Sequence, residues 1–131
     1  MKTNANAPRF ASCRPFVDEV TQRMAPGREA SAEELAQLAG GAFQNYAERL
    51  LEELLTAADE SPEFAEVWVP RQFSDAMDRA GAAMREALTD SRHRHAVAQE
   101  LQRKMFEAEL MLRRAMKMRA SADRVRGIAA S

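Results

Sequence analysis

The chain has 131 residues, of which 46% are hydrophobic and 30% are charged, and its formal net charge is −1. This length suits one compact domain with a core of its own, and the composition excludes both a disordered chain and a membrane-embedded one. The small net charge hides a division, because residues 1–70 hold 12 acidic and 6 basic side chains, whereas residues 71–131 hold 8 acidic and 13 basic ones. Two explanations stay open: the halves attract each other in the fold, or the second half presents a basic surface to an acidic partner.

The N-terminal residues 1–12 are polar and are expected to form a flexible arm. They lack the apolar core of a secretory signal peptide, and no apolar run in the chain approaches the roughly 20 residues that cross a bilayer. Cys13 is the only cysteine, so no disulfide forms within the chain. We therefore expect a cytoplasmic protein without a membrane span, while export by a route independent of a signal peptide remains an alternative. The abundance of alanine and arginine, which have GC-rich codons, suggests a bacterial source.

Two helices are predicted in the first half of the chain. A short one follows Pro15 and ends at Pro26-Gly27, with its apolar side formed by Phe16, Val17, Val20 and Met24. Ser31 begins the second with a capping box, in which its hydroxyl accepts from the amide of Glu34 and the Glu34 carboxylate returns to the amide of Ser31. This helix is expected to run from about Ala32 to about Ala58.

A pair of glycines, Gly40-Gly41, interrupts the second helix or lies within it. The apolar stripe keeps its phase across the pair, from Leu35 and Ala39 to Phe43, and we therefore predict a continuous helix. Small residues also cluster around Gly81, and the two small-residue patches are expected to face each other.

The middle of the chain contains two further start signals. Ser61-Pro62 is typical of an N-cap followed by the first helical residue. Because Pro70 disfavours helical geometry at the preceding residue, we predict a short helix carrying Trp68, which closes one end of the bundle, and a separate helix from Pro70 to Leu88. The polar run from Thr89 to His95 then predicts a tight turn, with one continuous rod as the alternative.

The last helix is predicted to run from about Arg92 into the low 120s. One arc of roughly 100° carries its core-facing side chains, which are Val97, Ala98, Leu101, Met105, Ala108, Leu112, Ala115 and Met116. Further apolar residues lie outside that arc, on both sides of it: Phe106, Leu110, Met111 and Met118. A bundle needs only one such arc, so we predict that these four residues form a protein interface, although methionines that merely fill the core are the alternative.

Basic side chains concentrate toward the end of this helix. Four of them are candidate anion-binding residues, namely Arg113, Arg114, Lys117 and Arg119. Neither an aromatic stacking platform nor a nucleic-acid-binding module accompanies them, and cations near a helix C-terminus also interact favourably with the helix dipole.

No pattern of residues indicates catalysis. His93 and His95 are two residues apart and point in different directions on a helix, so they are expected in a solvated turn rather than as ligands of one metal ion. The carboxylates Glu48, Glu52 and Asp59 lie on the polar side of the second helix. We expect no enzyme activity, no metal, no cofactor and no small-molecule substrate, since a phosphate-binding glycine loop and a nucleophile elbow are also absent from the sequence.

The sequence predicts an all-α fold, an antiparallel bundle of about three long helices with one or two short ones. Residues 13–126 form the single domain in this prediction, between the arm and a flexible tail of residues 127–131. The favoured function is that of a non-catalytic adaptor, chaperone or structural subunit that binds another protein or a second copy of itself. The alternatives are a secretion-apparatus component or secretion chaperone, and a nucleic-acid-binding regulator that uses the basic last helix.

Overall fold

The computed structural model describes residues 13–22, 31–58 and 62–130, with side chains for all of these except 62–64 and 123–130. Four helices follow one another along this part of the chain: α1 (Arg14–Gln22), α2 (Ala32–Ala57), α3 (Pro62–Ala87) and α4 (Ser91–Ala130). The predicted all-α bundle is confirmed. The expected arm at residues 1–12, the role of Met24, the stop at Pro26-Gly27 and the cap at Ser61 lie outside the described residues. None of the described helices is long and apolar enough to cross a membrane.

The short helix α1 closes one side of the core with an aromatic cluster. Phe16 and Val20, one turn apart, are both buried. The Phe16 ring meets the edge of Phe43 at a centroid distance of 5.5 Å and stacks on Tyr46 at 6.3 Å. Burial raises the pKa of the Tyr46 hydroxyl to about 12, because the charged phenolate would lose its hydration there.

The start of α2 uses the predicted cap with a different return bond. The Glu34 amide donates to the Ser31 hydroxyl at 3.1 Å, as expected for an N-cap serine. The hydroxyl in turn donates to a carboxylate oxygen of Glu34 at 3.1 Å, so that carboxylate oxygen binds the Ser31 side chain. The helix then continues through Gly40-Gly41 to Ala57, which confirms the prediction of continuity.

The predicted contact between the Gly40-Gly41 pair and Gly81 is wrong. A Cβ atom added to Gly40 would lie 2.8 Å from the side chain of Glu100 in α4, whereas one added to Gly81 would meet no atom within 4 Å. Gly40 is therefore the position where α4 comes close, and a larger side chain at Gly81 has room. The sequence showed two patches of small residues but did not show which helix each one faces.

The predicted break at Pro70 is also wrong, since α3 is one helix from Pro62 to Ala87 with Pro70 inside it. A proline there removes one backbone hydrogen bond and crowds the carbonyl of Glu66, at a cost of about 3 kcal/mol. Packing offsets this cost, because Ala65, Val69 and Phe73 are all buried and lie one turn apart across the proline. Glu66 is exposed, so water can reach the side of the helix where the carbonyl lost its partner.

The turn between α3 and α4 is confirmed, and it is shorter than the polar run suggested. Asp90 caps α4, because its side chain accepts from the Arg92 amide at 2.8 Å, and this bond lowers the pKa of its carboxyl group. His93 and His95 belong to the first turns of α4 rather than to a loop. The guanidinium of Arg94 donates two hydrogen bonds to the Leu88 carbonyl, at 2.8 and 3.1 Å, and so closes the end of α3.

Contacts between α2 and α4 fix their relative direction. The Lys104 ammonium reaches the Gln44 side chain, 60 residues earlier, and the Arg119 guanidinium reaches the Ala58 carbonyl, 61 residues earlier. A constant separation along both helices means that α2 and α4 are parallel, with α3 antiparallel to α4. With 40 residues, α4 is about 60 Å long. It ends at Ala130, beyond the predicted low 120s, and therefore extends past the end of α2.

A candidate protein interface on the last helix

Large apolar side chains remain exposed mainly on α4. Phe106 is 64% exposed, Leu110 38% and Met118 72%, and a fourth such residue among those described, Val67 of α3, is 64% exposed. Helix α4 still contributes to the core, because its predicted inner arc holds the buried residues Val97, Leu101, Ala108 and Leu112. The residues predicted outside the arc are thus the ones that the bundle leaves in contact with water, with Met111 as a partial exception.

Three of the four predicted interface residues lie together. Leu110, Met111 and Met118 line a groove of about 580 Å³ along α4, whose opposite wall includes Gln44 and Ala47 of α2. We call this depression the α2–α4 groove. Met111 is partly buried and packs against the core, whereas Leu110 and Met118 are open to solvent. The three side chains together give the groove an apolar interior.

Charged side chains border the α2–α4 groove. Lys104 donates to the Gln44 amide oxygen at 3.2 Å and forms an ion pair with Glu107 at 3.3 Å, so it links the two helices at one end. Arg114 lies on the same groove further along α4. The residues three and four positions from Arg114 on either side are Leu110, Met111, Lys117 and Met118, none of which is acidic. An arginine with no acidic neighbour along its helix face is suited to a carboxylate from elsewhere.

Phe106 does not belong to that groove. It lies in a separate shallow depression of about 710 Å³, which is formed by α4 alone and includes Met105 and Gln102. Phe106 and Leu110 are four residues apart and therefore adjacent on the helix surface, so the two apolar areas meet along one edge of α4. A partner that covers Leu110 and Met118 needs only a small extension to reach Phe106.

The four candidate anion-binding residues are divided by the structure. Arg113, Arg114 and Lys117 are exposed. Arg119 instead points into the bundle and donates to the carbonyls of Leu55, in the last turn of α2, at 3.0 Å and of its C-cap Ala58 at 2.9 Å. It neutralises the negative end of that helix, which has no basic residue in its own last turn. Arg119 therefore does not join the exposed cluster.

Histidine, cysteine and carboxylate side chains occur throughout the described part of the chain. No group of three or more histidine, cysteine or carboxylate side chains within it has the arrangement that holds a metal ion. Among its buried residues none is polar or charged apart from Tyr46 with its phenol group.

Sequence reasoning missed the contribution of α2 to this surface. Gln44 and Ala47 form the second wall of the groove, whereas the predicted interface residues all lie on the last helix. A signal for it existed, because Gly40, Ala47, Leu51 and Ala58 recur at intervals of seven, four and seven residues and are all buried. This second row marks the side of α2 that faces α4.

No known protein family, no curated protein and no solved structure matches the chain.

Proposed function

We propose that this protein is a non-catalytic binding protein, an adaptor, chaperone or structural subunit, which associates with another protein or with itself through α4. One observation supports the proposal above the others: three of the four large apolar side chains that the described residues expose lie on this single helix. Contiguous apolar surface in water is unfavourable, and in monomeric proteins it commonly marks a binding site. The flexible thioether side chains of Met111 and Met118 suit an adaptable contact.

The test is a double substitution, Leu110→Glu with Met118→Glu. A buried interface cannot accommodate two unpaired carboxylates, so association is expected to be lost while the fold is kept, because both side chains are already exposed in the free chain. For self-association, light scattering should report a folded monomer. For a different protein partner, the variant should fail to capture the partner that the wild type captures, and circular dichroism should be unchanged.

Val67→Glu is the matched control. Val67 is 64% exposed, between Leu110 and Met118, but lies on α3, so one carboxylate is added at an exposed apolar position on another helix. Association should survive in this variant. The proposal is contradicted if Val67→Glu abolishes association while the α4 double substitution leaves it intact. Unfolding of the double variant would show that these residues are core and would also contradict it.

The alternative of nucleic-acid binding predicts a different result. Binding through phosphates would be salt-sensitive and would be lost on replacing Arg113, Arg114 and Lys117, with the apolar residues of α4 left unchanged. The commitment of Arg119 to the end of α2 removes one cation from that surface. Filter binding of RNA and DNA at two salt concentrations separates the two functions.

A further inference from the structure

One side of α4 repeats charged and apolar residues in a regular order. Glu107, Met111, Arg114 and Met118 are separated by four, three and four residues, the spacing with which a helix presents one seam to a neighbouring helix. All four line the α2–α4 groove, together with Leu110. The seam therefore carries an acid on one side of its apolar centre and a base on the other.

The order of charges along this seam is self-complementary when two copies of α4 run antiparallel. In a symmetric dimer, every contact occurs twice. If one position of the first copy contacts another position of the second copy, the same two positions also meet with the copies exchanged. If two α4 helices lie antiparallel with the axis between Leu110 and Met111, position 107 of each chain meets position 114 of the other. Leu110 meets Met111 at the centre. Both carboxylate–guanidinium pairs then form at once and flank an apolar contact.

The charges of Glu107 and Arg114 agree with this arrangement. Glu107 is exposed and shares one carboxylate oxygen with Lys104 at 3.3 Å, and a carboxylate can accept from more than one donor. Arg114 has no acidic side chain three or four residues away on α4, so the partner's carboxylate would supply it with an ion pair. A parallel pairing would instead place Arg114 opposite Arg114 and Glu107 opposite Glu107, which is unfavourable.

We propose that the occupant of the α2–α4 groove is α4 of a second copy of this chain, packed antiparallel about an axis between Leu110 and Met111, with Glu107 of each copy paired to Arg114 of the other. This inference rests on the proposed function and specifies its partner. Gln44 and Ala47 of α2 would flank the incoming helix, so each copy supplies two helices to the interface.

Charge reversal tests the pairing. Arg114→Glu and Glu107→Arg are each expected to raise the dissociation constant of the dimer about tenfold or more, since each turns two attractive pairs into two repulsive ones. An equimolar mixture of the two variants should form a heterodimer with near wild-type affinity, because each unlike pair is restored across the interface. The chain carrying both substitutions should likewise dimerise with itself. Sedimentation equilibrium measures all four samples.

Arg113→Glu is the matched control, since it makes the same charge change at an exposed neighbour that does not line the groove, and it should leave the dissociation constant unchanged. Both reversed positions are exposed, so circular dichroism should show intact helices. Failure of the mixture to restore association overturns the antiparallel pairing, as does an unchanged dissociation constant in both single variants.

The failures of the two proposals are distinguishable. A wild type that stays monomeric but captures a different protein through Leu110 and Met118 overturns the second-copy proposal and leaves the binding function standing. Another outcome is self-association that is lost in Leu110→Glu with Met118→Glu but unchanged by charge reversal at Glu107 or Arg114. That result overturns only the antiparallel pairing. Self-association that survives the double substitution overturns both.

Discussion

At the scale of single residues, Arg119 shows that the position of a basic residue around the helix decides its role. It follows Leu112 by seven residues and Ala115 by four, so it continues the core-facing arc of α4. Arg113, Arg114 and Lys117 lie off that arc and are exposed. The sequence therefore held the information that distinguishes Arg119 from its basic neighbours. What it could not show was the acceptor, because the end of α2 lies 61 residues away in the chain.

Arg119→Ala should destabilise the fold by about 1–3 kcal/mol, because it leaves the carbonyls of Leu55 and Ala58 without their charged donor. Arg119→Lys should recover only part of this loss, since an ammonium group does not reproduce the planar two-pronged geometry. Urea unfolding followed by circular dichroism measures both. Arg113→Ala, an exposed arginine of the same helix, should change stability by less than about 0.5 kcal/mol. Equal midpoints for Arg119→Ala and Arg113→Ala would contradict the capping role.

At the scale of whole helices, the phase of the apolar pattern was a better guide than any single residue. The stripe of α2 runs unbroken across Gly40-Gly41, and the helix is continuous there as predicted. The buried residues Ala65, Val69 and Phe73 likewise keep one phase across Pro70, and α3 is continuous there. The local preference of proline predicts a break there, and that prediction is wrong. Tertiary packing outweighs one lost hydrogen bond when the residues on both sides share a core.

Pro70→Ala should stabilise the protein by about 1–3 kcal/mol, because alanine restores the missing hydrogen bond to the Glu66 carbonyl and is the strongest helix former. Pro62→Ala is the control. Pro62 is the first residue of α3, where no hydrogen bond is lost, so its replacement should change stability little. Thermal unfolding compares the two variants with the wild type. A lower melting temperature for Pro70→Ala would mean that the core depends on the local geometry that proline imposes.

At the scale of the whole molecule, three long helices enclose one core, and among the described residues no other helix covers one flank of α4. Helix α2 and helix α3 cover the inner arc of α4, which accounts for the burial of Val97, Leu101 and Ala108. The sequence alone shows that α4 carries more apolar residues than packing in a bundle needs. Other features depend on where the neighbouring helices lie. They are the partial burial of Met111, the position of Phe106 outside the groove, and the wall that α2 contributes to the groove. No periodicity within one helix encodes those positions.

Methionine oxidation tests the central claim, that the exposed side of α4 is covered in the working assembly, most directly. Met118 is 72% exposed in the single chain and Met84 is fully buried, so dilute peroxide should convert Met118 to the sulfoxide quickly and Met84 slowly. Peptide mass spectrometry then compares the assembled wild type with Leu110→Glu, whose association should be weakened. The account predicts that Met118 oxidises several times more slowly in the assembly, with Met84 slow in both samples. Equal rates for Met118 in the two samples would contradict it.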